Sequence, residues 1–346
     1  MDEIALLENL VSLYSPSGQE ADAVNCLVEQ MRGAGFSARV DEAGNAVGAY
    51  GNGPETIMLL GHIDTVPGFI VPRREGDRLW GRGAVDAKGP LACFVAAALR
   101  ARDRLGGRRV VVIGAVGEES DSPGARFVRQ HYQPAVTFIG EPSGWEKVTL
   151  GYKGTAWYTY AVSREQAHSA AHVENACEAA VDYWNRVTAW AGVHNLRHER
   201  VFEQVSPSLR RMGSLSDGFT DTATLHFNVR LPLSLDVAAC TAALQGMAAE
   251  GAQLTLGDGA PAYRGEKNSP PVRALLAAIR HAGGTPSFSL KSGTSDMNLV
   301  GPAWKTPIVA YGPGDSALDH TPTEHILISE YLKSIEVLSE ALTRLA

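Results

Sequence analysis

At 346 residues, 45% of them apolar and 20% charged, the chain has the composition of a folded globular protein and the length of two domains, or of one with a large insertion. Its formal charge of −7 argues against a nucleic-acid partner, because phosphate binding calls for a basic surface. The four cysteines, Cys26, Cys93, Cys177 and Cys240, form no CxxC pair; the acidic start "MDEIALLENL" is unlike a signal peptide, and the apolar run "LACFVAAAL" is too short to cross a bilayer. Reduced, mostly buried thiols, a cytoplasmic location and no membrane partner are expected.

Apolar residues at helical spacing, Ile4, Leu7, Leu10 and Val11, predict a first helix over 3–13. "SGQE" at 17–20 has the Ser-x-x-Glu form of a capping box and predicts a second helix ending near 33–35. Strands are then expected at about 56–63, 109–116 and 135–140, with helices at about 88–104 and 122–131 between them. Val-, Ile- and Leu-rich runs separated by helices predict an α/β layer on a mixed, largely parallel sheet, whose ligands collect at the carboxyl ends of the strands. From "WYTYAVS" onward the order becomes β-α-β-β-α-β, the ferredoxin-like pattern, so an inserted domain is placed at 155–260, flanked by the two parts of the first domain at 1–154 and 261–346.

Each expected strand end of the first domain carries an acid or a histidine. His62 and Asp64 ("LLGHIDTVPG") lie two residues apart and so on one side of an extended strand. Glu118 and Glu119 ("GAVGEES") end the next strand and Glu141 ("IGEPSG") the third; Asp86 sits in the glycine-rich "WGRGAVDAKGP", and His320 in "LDHTPTEH". So many carboxylates at one sheet edge repel one another unless positive charge sits among them, and a two-metal site supplies it. Imidazole and carboxylate donors suit zinc, with cobalt or manganese as substitutes. Asp86 is the natural bridging ligand, His62 serves one ion and a glutamate the other, and Asp64 holds the distal ring nitrogen of His62.

The ordered motifs "GHIDTVP", "GRGAVDAKGP", "GEES", "GEPSG", "GTSD" and "DHTP" resemble those of the cocatalytic zinc metallopeptidase family that contains carboxypeptidase G2-like enzymes, aminoacylase, acetylornithine deacetylase and succinyl-diaminopimelate desuccinylase. The resemblance implies a zinc-peptidase-like catalytic domain with the insertion as lid and dimerisation domain, two Zn2+ per subunit, and a homodimer. It implies that His62 and Glu141 complete one metal, Glu119 and His320 the other, that Asp86 bridges them, and that Glu118 is the general base. In "REQAHSAAHVENA" it implies that His168 reaches the partner's site to stabilise the oxyanion; the segment lacks the family's proline and glycine there, and His172 is the rival. Asn175, Arg230 ("FNVRLP") and the loop residues Gly293, Thr294 and Ser295 are implied substrate-binding residues, the last three for an α-carboxylate.

"GEPSGWEKVTLGYKG" with "GAVDAKGPLA" is most similar to the hydrolases that release lysine or ornithine from the γ-glutamyl terminus of a small acidic amino-group carrier protein in lysine and arginine biosynthesis. The competing readings are a small-molecule N-acetyl-ornithine or N-acetyl-lysine deacetylase, a dipeptidase, and a catalytically inactive binding protein on the same fold. The arginines at 100, 102, 104, 108 and 109 read as a solvated helix end, with a docking patch for the carrier as the alternative.

Overall fold

The computed structural model describes residues 1–171 and 173–345. The chain divides into two compact units, one formed by 1–151, 265–290 and 295–346, the other by 152–264 and 291–294.

The first unit is built on a sheet whose middle is parallel. Its strands run in the order Ser37–Val40, Ala46–Tyr50, Arg109–Ala115, Thr56–His62, Val136–Gly140, Ile308–Ala310 and Lys147–Tyr152. The four central members, from Arg109–Ala115 to Ile308–Ala310, pair in parallel, and the outer strands pair antiparallel. "TIMLLGH" and "RVVVIGA" are buried along almost their whole length because helices cover both faces, so they read as continuous apolar runs. Helix Lys88–Ala101 is alanine-rich because nearly all its residues are buried where it packs against Thr56–His62 and the closing helix Ile328–Leu345. Strands in one direction bring His62, Glu118 and Glu141 to a common carboxyl edge.

The second unit runs strand Gly154–Glu165, helix Ala176–Asn195, strands Ser206–Ser216 and Thr220–Leu231, helix Val237–Gly246 and strand Gln253–Ala260. Its antiparallel sheet has the order Ser206–Ser216, Thr220–Leu231, Gly154–Glu165, Gln253–Ala260. One face packs a core of Tyr158, Tyr160, Tyr183, Phe227 and Leu225 beneath the helices. Tyr160 and Tyr183 stack at 3.7 Å between ring centroids.

Several local expectations are corrected. The Ser17 hydroxyl does not cap the second helix, Ala21–Gly33, whose N-cap is Glu20 without a side-chain bond; it is drawn to Asp64 instead. The helix expected over 88–104 ends at Ala101 and tightens into a 3-10 turn. The short strands Arg73–Glu75, Arg78–Trp80 and His325–Leu327 form a separate small sheet that exposed, charged sequence does not announce. Among the cysteines, Cys93 and Cys240 are buried, but Cys177 is exposed.

Candidate metal centre

The centre is built on the edge where the parallel strands end. His62 is the last residue of Thr56–His62 and is buried. Its Nε2 lies 3.2 Å from Oδ1 of Asp86, and its Nδ1 lies 3.1 Å from the backbone carbonyl of Asp64 and 3.5 Å from the Asp64 carboxylate. His320 comes from the loop before the small sheet, at φ 61° in the left-handed region. Its Nε2 lies 3.0 Å from the other Asp86 oxygen, Oδ2, and 2.8 Å from Oε1 of Glu119. Asp86 thus has one imidazole on each oxygen, the arrangement a bridging carboxylate needs.

Asp64 has a second task. Its carboxylate accepts the backbone N–H of Glu118 on Oδ1 and that of Glu119 on Oδ2, each at 3.0 Å, and the Ser17 hydroxyl at 2.7 Å. The acid pair therefore hangs from a buried carboxylate at the end of the neighbouring strand. Asn45 holds the same loop from the other side: its Oδ1 accepts the Val116 N–H and its Nδ2 donates to the Gly124 carbonyl. The turn opens with Gly117 at φ 72°, where a Cβ would sit 2.6 Å from the Pro123 ring, so only glycine fits.

The titration pattern follows from this crowding. Burial pulls the His62 imidazole down, but hydrogen bonds with Asp64 and Asp86 and the field of Glu118 outweigh it and leave it well above its usual value. Hydrogen bonds to Asp86 and Glu119 push His320 up to about 10. Burial raises Glu118 far above an ordinary glutamate; His62 opposes this, and Glu141, Asp296 and Glu119 add to it. Asp86 is held low against burial by its two histidines.

Among the described residues, two groups have ligand atoms close enough to hold an ion: His62 with Glu118 and Glu119, and Asp86 with Glu119 and His320. The donor set of imidazoles and carboxylates, with a carboxylate shared between two histidines, fits a pair of divalent cations. Glu141 is buried at the end of Val136–Gly140 and belongs to neither group, though its charge reaches Glu118.

The remaining residues are placed as follows. His168 is exposed in the second unit, where its Nδ1 accepts the Ala170 N–H; its rival His172 lies outside the described residues. Asn175 is the N-cap of Ala176–Asn195 and forms a full capping box with Glu178. Arg230 donates to the Thr294 hydroxyl at 3.0 Å within the second unit, and Gly293 beside it is exposed. Ser295 is buried, its N–H taken by Asn298. Arg100, Arg104 and Arg108 pair with Glu3, Glu340 and Glu55, and Arg109 begins a strand whose far end leads to Glu118, so this group lies at the opposite edge of the sheet from the centre.

The supporting roles of Ser17 and Asn45 are not foreseen from the sequence, because Asp64, Val116 and Gly124, which they bind here, are distant in the chain.

A sequence profile of peptidase family M20/M25/M40 matches residues 58–344. The chain belongs to this family. Its relatives include the "[LysW]-lysine hydrolase" of Deinococcus radiodurans, 44% identical over 98% of this chain and 96% of that one. The "[LysW]-lysine/[LysW]-ornithine hydrolase" of Sulfurisphaera tokodaii is 30% identical over 96% and 94%. Among solved structures, an M20 family metallo-carboxypeptidase from Sulfolobus solfataricus superposes with a TM-score of 0.82 at 18% identity, covering 100% of this chain and 99% of that one. The last likeness establishes the M20 peptidase fold. With the relatives, the M20 assignment makes this chain a metal-dependent amide hydrolase.

Proposed function

We propose that this M20 enzyme releases lysine, or ornithine, from the γ-glutamyl terminus of a small acidic amino-group carrier protein, using two zinc ions. The observation that carries the reading is the 44% identity to the Deinococcus radiodurans hydrolase along nearly the whole chain, and the placing of His62 and His320 on separate oxygens of Asp86 supports it. His62 and Glu141 would hold one ion, Glu119 and His320 the other, with Asp86 between them; cobalt or manganese would serve as substitutes. When bound, such a pair polarises an amide carbonyl and acidifies water.

The chain supplies the rest. Glu118, half-buried and raised well above the ordinary glutamate range, takes a proton from the attacking water and returns it to the departing amine. The amide C–N bond breaks, the carrier keeps a carboxylate, and the amino acid leaves with a restored amine. Asp64 keeps Glu118 and Glu119 in place through their N–H groups. Arg230 with Gly293, Thr294, Ser295 and Asn175 is proposed to receive the substrate's carboxylate, and His168 of one protomer to steady the oxyanion in the site of its partner. The Arg230–Thr294 hydrogen bond supports joint action of those two. The proposed homodimer is supported by the exposed edge strand Ser206–Ser216.

The deciding experiment compares amino acid release by the zinc-loaded enzyme from carrier γ-glutamyl-lysine, carrier γ-glutamyl-ornithine, N-acetyl-lysine and N-acetyl-ornithine at matched concentration. Faster turnover of a carrier substrate is expected. Preference for the acetyl compounds would make the enzyme a small-molecule deacetylase.

A further inference from the structure

Glu324 is fully buried, four residues beyond His320. Its Oε1 accepts the backbone N–H groups of Val85 at 2.9 Å and Asp86 at 3.1 Å, and its Oε2 accepts from Arg82 Nη1 at 2.7 Å. Arg82 in turn donates through Nε to the Gly68 carbonyl at 3.0 Å. The carbonyl of Glu324 accepts the Gly81 N–H, extending the antiparallel pairing of His325 with Trp80. Three segments that carry the centre, 62–68, 81–86 and 320–324, are thereby tied to one buried ion pair.

A buried carboxylate is costly unless its oxygens are engaged, and a hydrophobic contact would hold two loops together with less penalty. What a carboxylate does that an apolar residue cannot is grip two consecutive N–H groups and so fix the backbone of Asp86 in orientation as well as position. Asp86 directs separate oxygens toward His62 and His320, and His320 sits on the loop that Glu324 anchors. We infer that Glu324 is a positioning residue of the two-metal centre, locking the Asp86 loop to the His320 loop so that the shared carboxylate and the second ion's imidazole keep their relative place. The inference rests on the two-metal reading above.

Cobalt titration of the metal-free full-length protein tests it, with stoichiometry and affinity from chelator competition and ligand geometry from the visible absorption of bound cobalt. Wild type is the control. Glu324→Ala removes both grips and should weaken the more weakly bound ion by about 10–100-fold and alter the absorption band. Glu324→Gln keeps an oxygen for the two N–H groups, loses the charge facing Arg82, and should fall between Ala and wild type. If the alanine variant does not fold, the glutamine variant decides alone by the same readouts. Two cobalt ions bound with wild-type affinity and spectrum, whatever the loss of thermal stability, would overturn the inference and leave Glu324 as structural glue. A wild type that binds fewer than two ions would remove the two-metal reading itself, and this inference with it.

Discussion

Oδ1 of Asp64 accepts the backbone N–H of Glu118 at 3.0 Å, so the carboxylate two residues past one histidine ligand candidate holds the main chain of the base candidate in the turn after the neighbouring strand. The companion oxygen does the same for Glu119. Asp64→Ala would leave two N–H groups in a buried site without an acceptor, which costs on the order of 3 kcal/mol. A fall in the thermal midpoint with loss of most activity is expected. Asp64→Asn should recover part of the stability, since its single amide oxygen serves one N–H while its NH2 faces the other. Calorimetry of the three proteins checks the order wild type, Asn, Ala.

Burial and its acidic neighbours push Glu118 well above an ordinary glutamate, in the direction a proton shuttle needs. Glu118→Gln preserves volume and backbone bonding and removes the basic oxygen. Turnover should fall by about 10²–10⁴-fold, with metal content and unfolding midpoint near wild type. Near-normal turnover in the metal-loaded variant would sink the role.

The parallel layer was legible because Thr56–His62 and Arg109–Ala115 are unbroken apolar runs, and such runs separated by helices have few alternative arrangements. The acids and histidines at their ends could be read for the same reason: a parallel sheet sends every carboxyl end to one edge. What supports those residues could not be read. Ser17 sits in a sequence that spells a capping box, and the local signal lost to Asp64, 47 residues away, whose buried charge needs another donor. Glu324 looks like a surface acid in "HTPTEH" until the fold brings Val85 and Asp86 against it. His62 illustrates a finer case, since its Nδ1 lies nearer the Asp64 carbonyl than the Asp64 carboxylate, a choice that residue spacing does not determine.

Metal affinity should depend on pH through His320. In the metal-free protein its pKa is pushed up to about 10 by Asp86 and Glu119, and a cation must displace that proton. Apparent affinity is therefore expected to rise by up to about tenfold per pH unit across the neutral range for one displaced proton. Folding of the metal-free form runs the other way. A raised folded-state pKa gives stability that is fully present below about 6.5, the unfolded value, and is lost as pH climbs through about 10. Chelator competition and denaturant titration over the same pH series should show opposite trends; parallel trends would mean that His320 does not carry the linkage.

The second unit ends in an edge that a stable protein rarely leaves open. Ser206–Ser216 is an eleven-residue outer strand, exposed from Arg210 onward, and its hairpin presents Leu215 and Phe219 at 82% and 84% exposure. A long edge with apolar tips invites pairing with another strand, and an identical strand related by a two-fold axis satisfies it antiparallel. A dimer is therefore expected in sedimentation of the wild type, and Leu215→Lys with Phe219→Glu should shift it toward monomer while the core of Tyr160, Tyr183 and Phe227 keeps the unit folded. If His168 acts in the partner's site, activity should fall with the dimer and recover at high protein concentration. A variant that is monomeric yet fully active would separate assembly from catalysis and assign the oxyanion role elsewhere.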